Sequence, residues 1–249
     1  MGTQGSNISF HESSHWLLWT EGAFLGSRTD SVIRRNNRRV QWAWAPEDIA
    51  ADGGIFSANQ QGFQGSLTLP RELFVHEVDD VVDTDGVVAA SKEAILTADR
   101  SRKYTAQTLG IHPLADVVQG FTASAANTRY SSKSYRSFTI VQRQDARMEL
   151  KATISPAKGP CRLQIVTSPD MKEYIIIIYE PSNSTILIDR THRTTIVGFN
   201  SATVTGYFMP YTVNTGGTTR QEAITMDVFI NGSPVELYIN ARFALSTRI

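Results

Sequence analysis

His11, Glu12 and His15 form an H-E-x-x-H string near the start of the sequence. On a helix that spacing sets two imidazoles on one face around a zinc ion, with the carboxylate as general base, the chemistry of a zinc peptidase. The flanks favour a different local structure: Asn7 to Phe10 is strand-like, Ser13 and Ser14 favour turns, and Leu18 stands where the extended pattern has glycine. The string is expected not to bind metal. Asp79, Asp80, Asp83 and Asp85 precede Gly86, and hard cations gather carboxylates on a glycine turn of this kind. The register fails, because with Gly86 at the sixth loop position the first ligand would be Val81 and the twelfth Lys92. An acidic surface hairpin between residues 73–78 and 87–91 is the expectation instead. Cys161 lies in GPCRL ahead of an alternating strand with no histidine nearby, and reads as a small buried core residue rather than a nucleophile. No G-x-S-x-G elbow occurs, so a serine hydrolase has no anchor. No metal and no cofactor is expected.

The elements that must position such residues belong to a chain of 249 residues, 41% hydrophobic and 19% charged, the make-up of a globular protein. Lys+Arg and Asp+Glu balance at 24 each, so no bulk field favours a phosphate backbone or an anionic membrane surface. A neutral ligand such as a sugar fits better. The single cysteine excludes an internal disulfide and a cysteine-ligated zinc cluster. The longest apolar run, residues 174–179, falls far short of the roughly 20 residues of a membrane helix. The first residues lack a basic stretch followed by an apolar one, so no signal peptide is expected. Sequons begin at Asn7, Asn183 and Asn231.

Period-two alternation dominates. Met226, Val228 and Ile230, then Asn231-Gly232, then Val235, Leu237 and Ile239 predict a hairpin with a tight primed turn. Further strands are predicted at 137–142, 147–154, 161–168, 172–180, 184–191 and 243–247, each bounded by turn residues. Together they predict an antiparallel sandwich over 131–249. One short helix is predicted at 114–121, followed by a small-residue linker at 122–128. The first 110 residues are strand-like around 42–48, 65–82 and 104–110, too few strands to close a barrel or propeller alone.

Five strings then carry a resemblance: NNRRVQWAWAPED (36–48), QQGFQGSLTLPRELFV (60–75), YTAQTLGIHPL (104–114), ILIDRTHRTT (186–195) and DVFINGSPVELYINARFALSTR (227–248). In order and spacing they resemble the C-terminal half of glycoside hydrolase family 32, the invertases, inulinases and other β-fructofuranosidases of fungal type. The resemblance implies an all-β chain, a remnant of the last blade of a five-bladed β-propeller (1–121, with the linker helix) followed by a C-terminal antiparallel β-sandwich (131–249). It implies sucrose or fructan-like carbohydrate as the parent family's substrate, a family that is often secreted, and a possible dimer through the sandwich. Retaining hydrolysis needs a nucleophile and an acid/base carboxyl about 5 Å apart, which the family carries in N-D-P-N-G and E-C strings with a stabilising R-D-P aspartate. None of these strings occurs here. No catalytic role is therefore carried over onto Glu47, Asp48 or Asp52. The match of WAWAPED to the family's W-G-W-A-x-E-D stretch implies that Trp44 and Glu47 lie at the rim of the sugar pocket. Blade packing, with Trp42 and Trp44 alternating with small residues, is the alternative. From strand counts, residues 128–249 are expected to fold alone and residues 1–110 to be left without partners.

Overall fold

The computed structural model describes residues 28–30, 38–46, 65–98, 103–122, 137–141, 147–155, 159–197 and 201–248. The first part of the chain gives β1 (Arg28–Asp30), β2 (Arg39–Trp42), β3 (Trp44–Pro46), β4 (Gly65–Leu67) and the long β5 (Arg71–Val81). After β5 come α1 (Val87–Ser91), β6 (Ile95–Ala98), β7 (Tyr104–Pro113) and α2 (Ala115–Thr122). The predicted helix is thus found, displaced by one residue. The hairpin expected after residues 73–78 is not. Residues 87–91 form a helical turn, and β5 pairs instead with β7, from Arg71 opposite Pro113 to Val81 opposite Tyr104. The reason is local: both Asp83 oxygens accept the first free amides of the turn, Val88 N at 2.9 Å and Ala89 N at 3.0 Å, which outweighs the β-preference of two valines.

The second part supplies β8 (Ser137–Val141), β9 (Arg147–Ile154), β10 (Cys161–Thr167), β11 (Ile175–Glu180), β12 (Thr185–Asp189) and β13 (Val204–Tyr207). The short β14 (Thr212–Thr215) and β15 (Thr218–Gln221) follow, then β16 (Ile224–Asn231), β17 (Pro234–Ile239) and β18 (Phe243–Arg248). A five-stranded sheet in the order β13-β12-β11-β10-β8 faces a four-stranded sheet in the order β18-β17-β16-β9. Alternate side chains meet between them: Ile165, Ile175, Ile177, Ile186 and Ile188 from one sheet, Met226, Val228, Leu237, Ile239 and Leu245 from the other, all within 1% of full burial. Each such side chain contributes about 1.5–3 kcal/mol. This is the sandwich. One pair departs from the antiparallel expectation: β8 runs parallel to β10, because the intervening β9 crosses to the other sheet and returns the chain in the same direction.

Two features tie the parts together. The β14–β15 hairpin, turned at Gly216 (φ 59°) and Gly217 (φ 84°), leaves the sandwich and joins the first sheet through Val213 opposite Val81. Part of the four-stranded sheet is also buried on its second face. There Phe229, Tyr238 and Ala244 pack on Ile111, Leu69, Leu73 and Val118. Among the described residues no helix is long and apolar enough to cross a membrane.

Candidate functional site

The period of two that sends Val235, Leu237 and Ile239 into the sandwich sends Glu236 and Tyr238 to the opposite face. By pattern that face reads as solvent. It is instead covered by β5, whose first residue, Arg71, is 4% exposed. Arg71 Nη2 donates to Glu236 Oε2 at 2.8 Å and also donates to Ser246 Oγ. Leu69 N donates to Glu236 Oε1 at 2.7 Å and the Tyr238 hydroxyl to Glu236 Oε2 at 2.8 Å. The guanidinium lies over the Tyr238 ring, 5.4 Å from its centroid. Burial pushes the Tyr238 phenol well above its ordinary range, the Arg71 charge opposing and the Glu236 charge reinforcing this, so it donates as a neutral hydroxyl.

Arg248 continues the joint. Its Nη2 donates to Ser66 Oγ at 2.9 Å and to the Ala45 carbonyl, and its Nη1 to Ser233 Oγ. The β3–β4 pair, which carries part of the WAWAPED string, is thereby fastened to the last strand. The Arg248 carbonyl accepts from Arg190 Nη1 at 3.2 Å and Arg193 Nη1 at 3.3 Å. Those two arginines are the ones in the ILIDRTHRTT string, and their observed contacts hold β18.

A further buried guanidinium, Arg242, lies in the β17–β18 turn. It donates to both Glu222 oxygens, Nη1 to Oε2 at 3.1 Å, and through Nη2 to the Met209 carbonyl at 2.9 Å. The rings of Tyr211 and Phe208 lie 4.1 and 4.7 Å from it. Glu222 Oε1 also accepts the Tyr211 amide at 2.7 Å.

Of the residues singled out in the sequence, His11, Glu12, His15 and Glu47 lie outside the described residues. Trp44 opens β3, opposite Leu67. The acidic group is divided among separate contacts: Asp79 accepts from Thr105, Asp80 pairs with Lys103 at 2.7 Å, Asp83 caps α1 and Asp85 accepts from Thr84. Among the described residues no three His, Cys, Asp or Glu side chains are grouped to hold a metal. Cys161 is half-buried at the start of β10, opposite Tyr179, not a member of the sandwich core as its sequence setting suggested. Burial still pushes its thiol up. Sequence reasoning missed Arg71, Glu236, Arg242 and Glu222. For Glu236 alone there was a local signal, a charged side chain between apolar neighbours in β17; Glu222 and Arg242 lie between strands.

Chemically, the arrangement at Glu236 and Glu222 holds charge in place. The oxygens of Glu236 and Glu222 are each engaged by arginine, amide or hydroxyl donors. Buried arginines thus fasten the β-sandwich to a second sheet. The profile of the family "Glycosyl hydrolases family 32 C terminal" matches residues 115–249, and the chain belongs to that family. Among solved structures, the wild-type fructosyltransferase from A. japonicus is 28% identical, with a TM-score of 0.74 over 85% of this chain and 35% of that one. The Aspergillus kawachii β-fructofuranosidase complexed with glycerol is 27% identical, with a TM-score of 0.73 over 85% of this chain and 37% of that one. The chain therefore spans about a third of the length of these relatives. No curated protein matches it.

Proposed function

We propose that this chain serves as the C-terminal support of a family 32 protein acting on β-fructosides such as sucrose or fructans, and does not itself hydrolyse them. The observation that carries this is the state of Glu236 and Glu222, the carboxylates paired to the buried arginines Arg71 and Arg242. Retaining hydrolysis requires two carboxyl groups facing one another about 5 Å apart across the scissile bond, one of them free to exchange a proton. Glu236 and Glu222 are instead each locked to an arginine. In this reading residues 1–121 belong to the last blade of a propeller and residues 131–249 to the sandwich that braces it. Trp44 and Glu47, by resemblance, belong to the rim of the sugar pocket. The purified chain is expected to release no fructose from sucrose, inulin or levan above a mock-purified control, and turnover above that control would overturn the proposal.

A second reading, that the sandwich contacts carbohydrate, is favoured by one feature. Tyr174 and His192 stack at 4.8 Å with an interplanar angle of 8°, and His192 is exposed. An aromatic face beside hydroxyl and carboxylate groups suits a sugar ring, and here the Thr191 hydroxyl lies 3.0 Å from His192 Nδ1 and donates to Asp189. Retardation of the chain on an inulin-containing gel, lost in His192→Ala, is the expected sign. Equal mobility with and without inulin would dismiss it.

A further inference from the structure

Two sequons fall among the described residues, at Asn183 and Asn231, and the fold treats them differently. Asn183 lies in the turn at 181–184 that joins β11 to β12, beside exposed Ser182, and is itself exposed. The turn is held without its side chain. Ser182 N and Oγ donate to Glu180 Oε1 at 3.4 and 3.0 Å, and the Ser184 carbonyl accepts the Phe208 amide at 2.7 Å. The Asn183 side-chain amide has no hydrogen-bond partner among the described residues. The Thr185 hydroxyl, two residues on, donates at the surface to the Asn183 carbonyl at 3.2 Å. Amide and hydroxyl of this sequon therefore stand together in solvent. Asn231 is also exposed, but it ends β16 opposite Arg147, and the hydroxyl of its sequon, Ser233 Oγ, accepts Arg248 Nη1. Pro234 follows directly and opens β17.

We propose that Asn183 is an acceptor for an N-linked glycan, its donor an oligosaccharide carried on a polyprenyl diphosphate. Asn183 Nδ2 forms a bond to C1 of the donor's first sugar as the bond from C1 to the diphosphate oxygen breaks. The lipid diphosphate leaves, and one amide proton passes to the transferase. Such a triplet is modified where it occupies a surface loop. A glycan is bulky and strongly hydrated, so a chain modified before folding packs only if the asparagine ends in solvent. At Asn183 folding asks nothing of the side chain: the nearest inward-facing residues of the two strands, Tyr179 and Ile186, are buried in the sandwich core without it. The sugar would stand where β12 meets β13, through Thr185 opposite Tyr207. β13 is the end strand of its sheet, and a hydrated chain at its tip obstructs edge pairing with a second copy. The Tyr174–His192 stack lies at the far end of β11 and β12 and stays open.

The test uses the full chain carried into the secretory lumen of yeast by a cleavable leader. Peptide N-glycosidase in heavy-oxygen water converts a glycosylated asparagine into a labelled aspartate, and the tryptic peptide 173–190 contains Asn183 and no other sequon. Label in that peptide is expected, with a loss of apparent mass on glycosidase treatment. Asn183→Gln and Thr185→Ala should each abolish the label, whereas Thr185→Ser, which keeps a hydroxyl, should retain it. An unlabelled Asn183 in the secreted wild-type chain would overturn the proposal, as would equal label without the glycosidase, the mark of simple deamidation. If the chain is retained in the cell, the same peptide from the lumenal fraction decides, because transfer precedes export: label supports the site and its absence refutes it.

Discussion

Replacing Glu236 with glutamine removes one charge from the joint and changes almost no volume. Arg71 and Glu236 are 5% and 6% exposed, 2.8 Å apart, so the guanidinium would remain buried beside Tyr238 with no counter-ion. Removing one partner of a buried pair costs about 3–5 kcal/mol. The glutamine carbonyl can still accept the Leu69 amide, which now reaches Glu236 Oε1 at 2.7 Å, so the lower end, about 3 kcal/mol, applies. That is roughly a 150-fold change in the unfolding constant. With a urea dependence of about 2 kcal/mol/M, the midpoint should fall by about 1.5 M at unchanged slope. Adding Arg71→Met should recover part of the loss, because the orphaned charge goes with it. A Glu236→Gln midpoint within about 0.2 M of wild type would refute the reasoning, since it would mean that water reaches the pair and the first sheet is not seated on the sandwich.

Three further expectations concern local structure, each read by thermal or urea unfolding. Asp83→Ala removes the acceptor for two amides of α1 and should cost about 1 kcal/mol; no change would mean the helical turn is held by other contacts. Gly110→Ala would place a Cβ 2.5 Å from the Phe74 ring, which also packs on His112 at 4.9 Å, and should cost about 1–3 kcal/mol. Asn240→Ala removes the bonds to Thr225 N at 2.7 Å and to the Ala223 carbonyl at 2.9 Å from a residue at φ 47°; a loss of about 2–3 kcal/mol is expected.

The sandwich was legible because its core obeys a local rule. Strand β9 was predicted at its observed bounds, and the β16–β17 hairpin about Gly232, at φ 71°, matches the Asn-Gly signal. The helix after β7 followed from a short helical pattern ahead of a small-residue linker. What was missed shares one physical cause: pairing with partners remote in sequence. The β14–β15 strands TVNT and TTRQ are polar and largely exposed, so they show no alternation, although their Gly216-Gly217 turn was a usable signal. Glu236 and Tyr238 alternate as if facing water. Only the fold reveals that Arg71, 165 residues upstream of Glu236, covers them, and a contact of that separation leaves no period in either segment. Two valines at 87–88 suggested a strand, whereas a single aspartate, Asp83, five residues before the second of them, ends that preference by accepting the first free amides of a helical turn.

The first sheet and the sandwich are expected to open as one body, held by the Arg71–Glu236 and Arg248 contacts. Native-state hydrogen exchange of the intact chain measures this directly. The Ile111 amide, bonded to the Ala241 carbonyl at 2.8 Å, and the amides of β5 should exchange only with the slowest class, together with Leu237 and Val228 in the sandwich core. Glu236→Gln should accelerate both groups by the same factor. Exchange of β5 and β7 many-fold faster than β16 and β17, unaffected by that substitution, would contradict it.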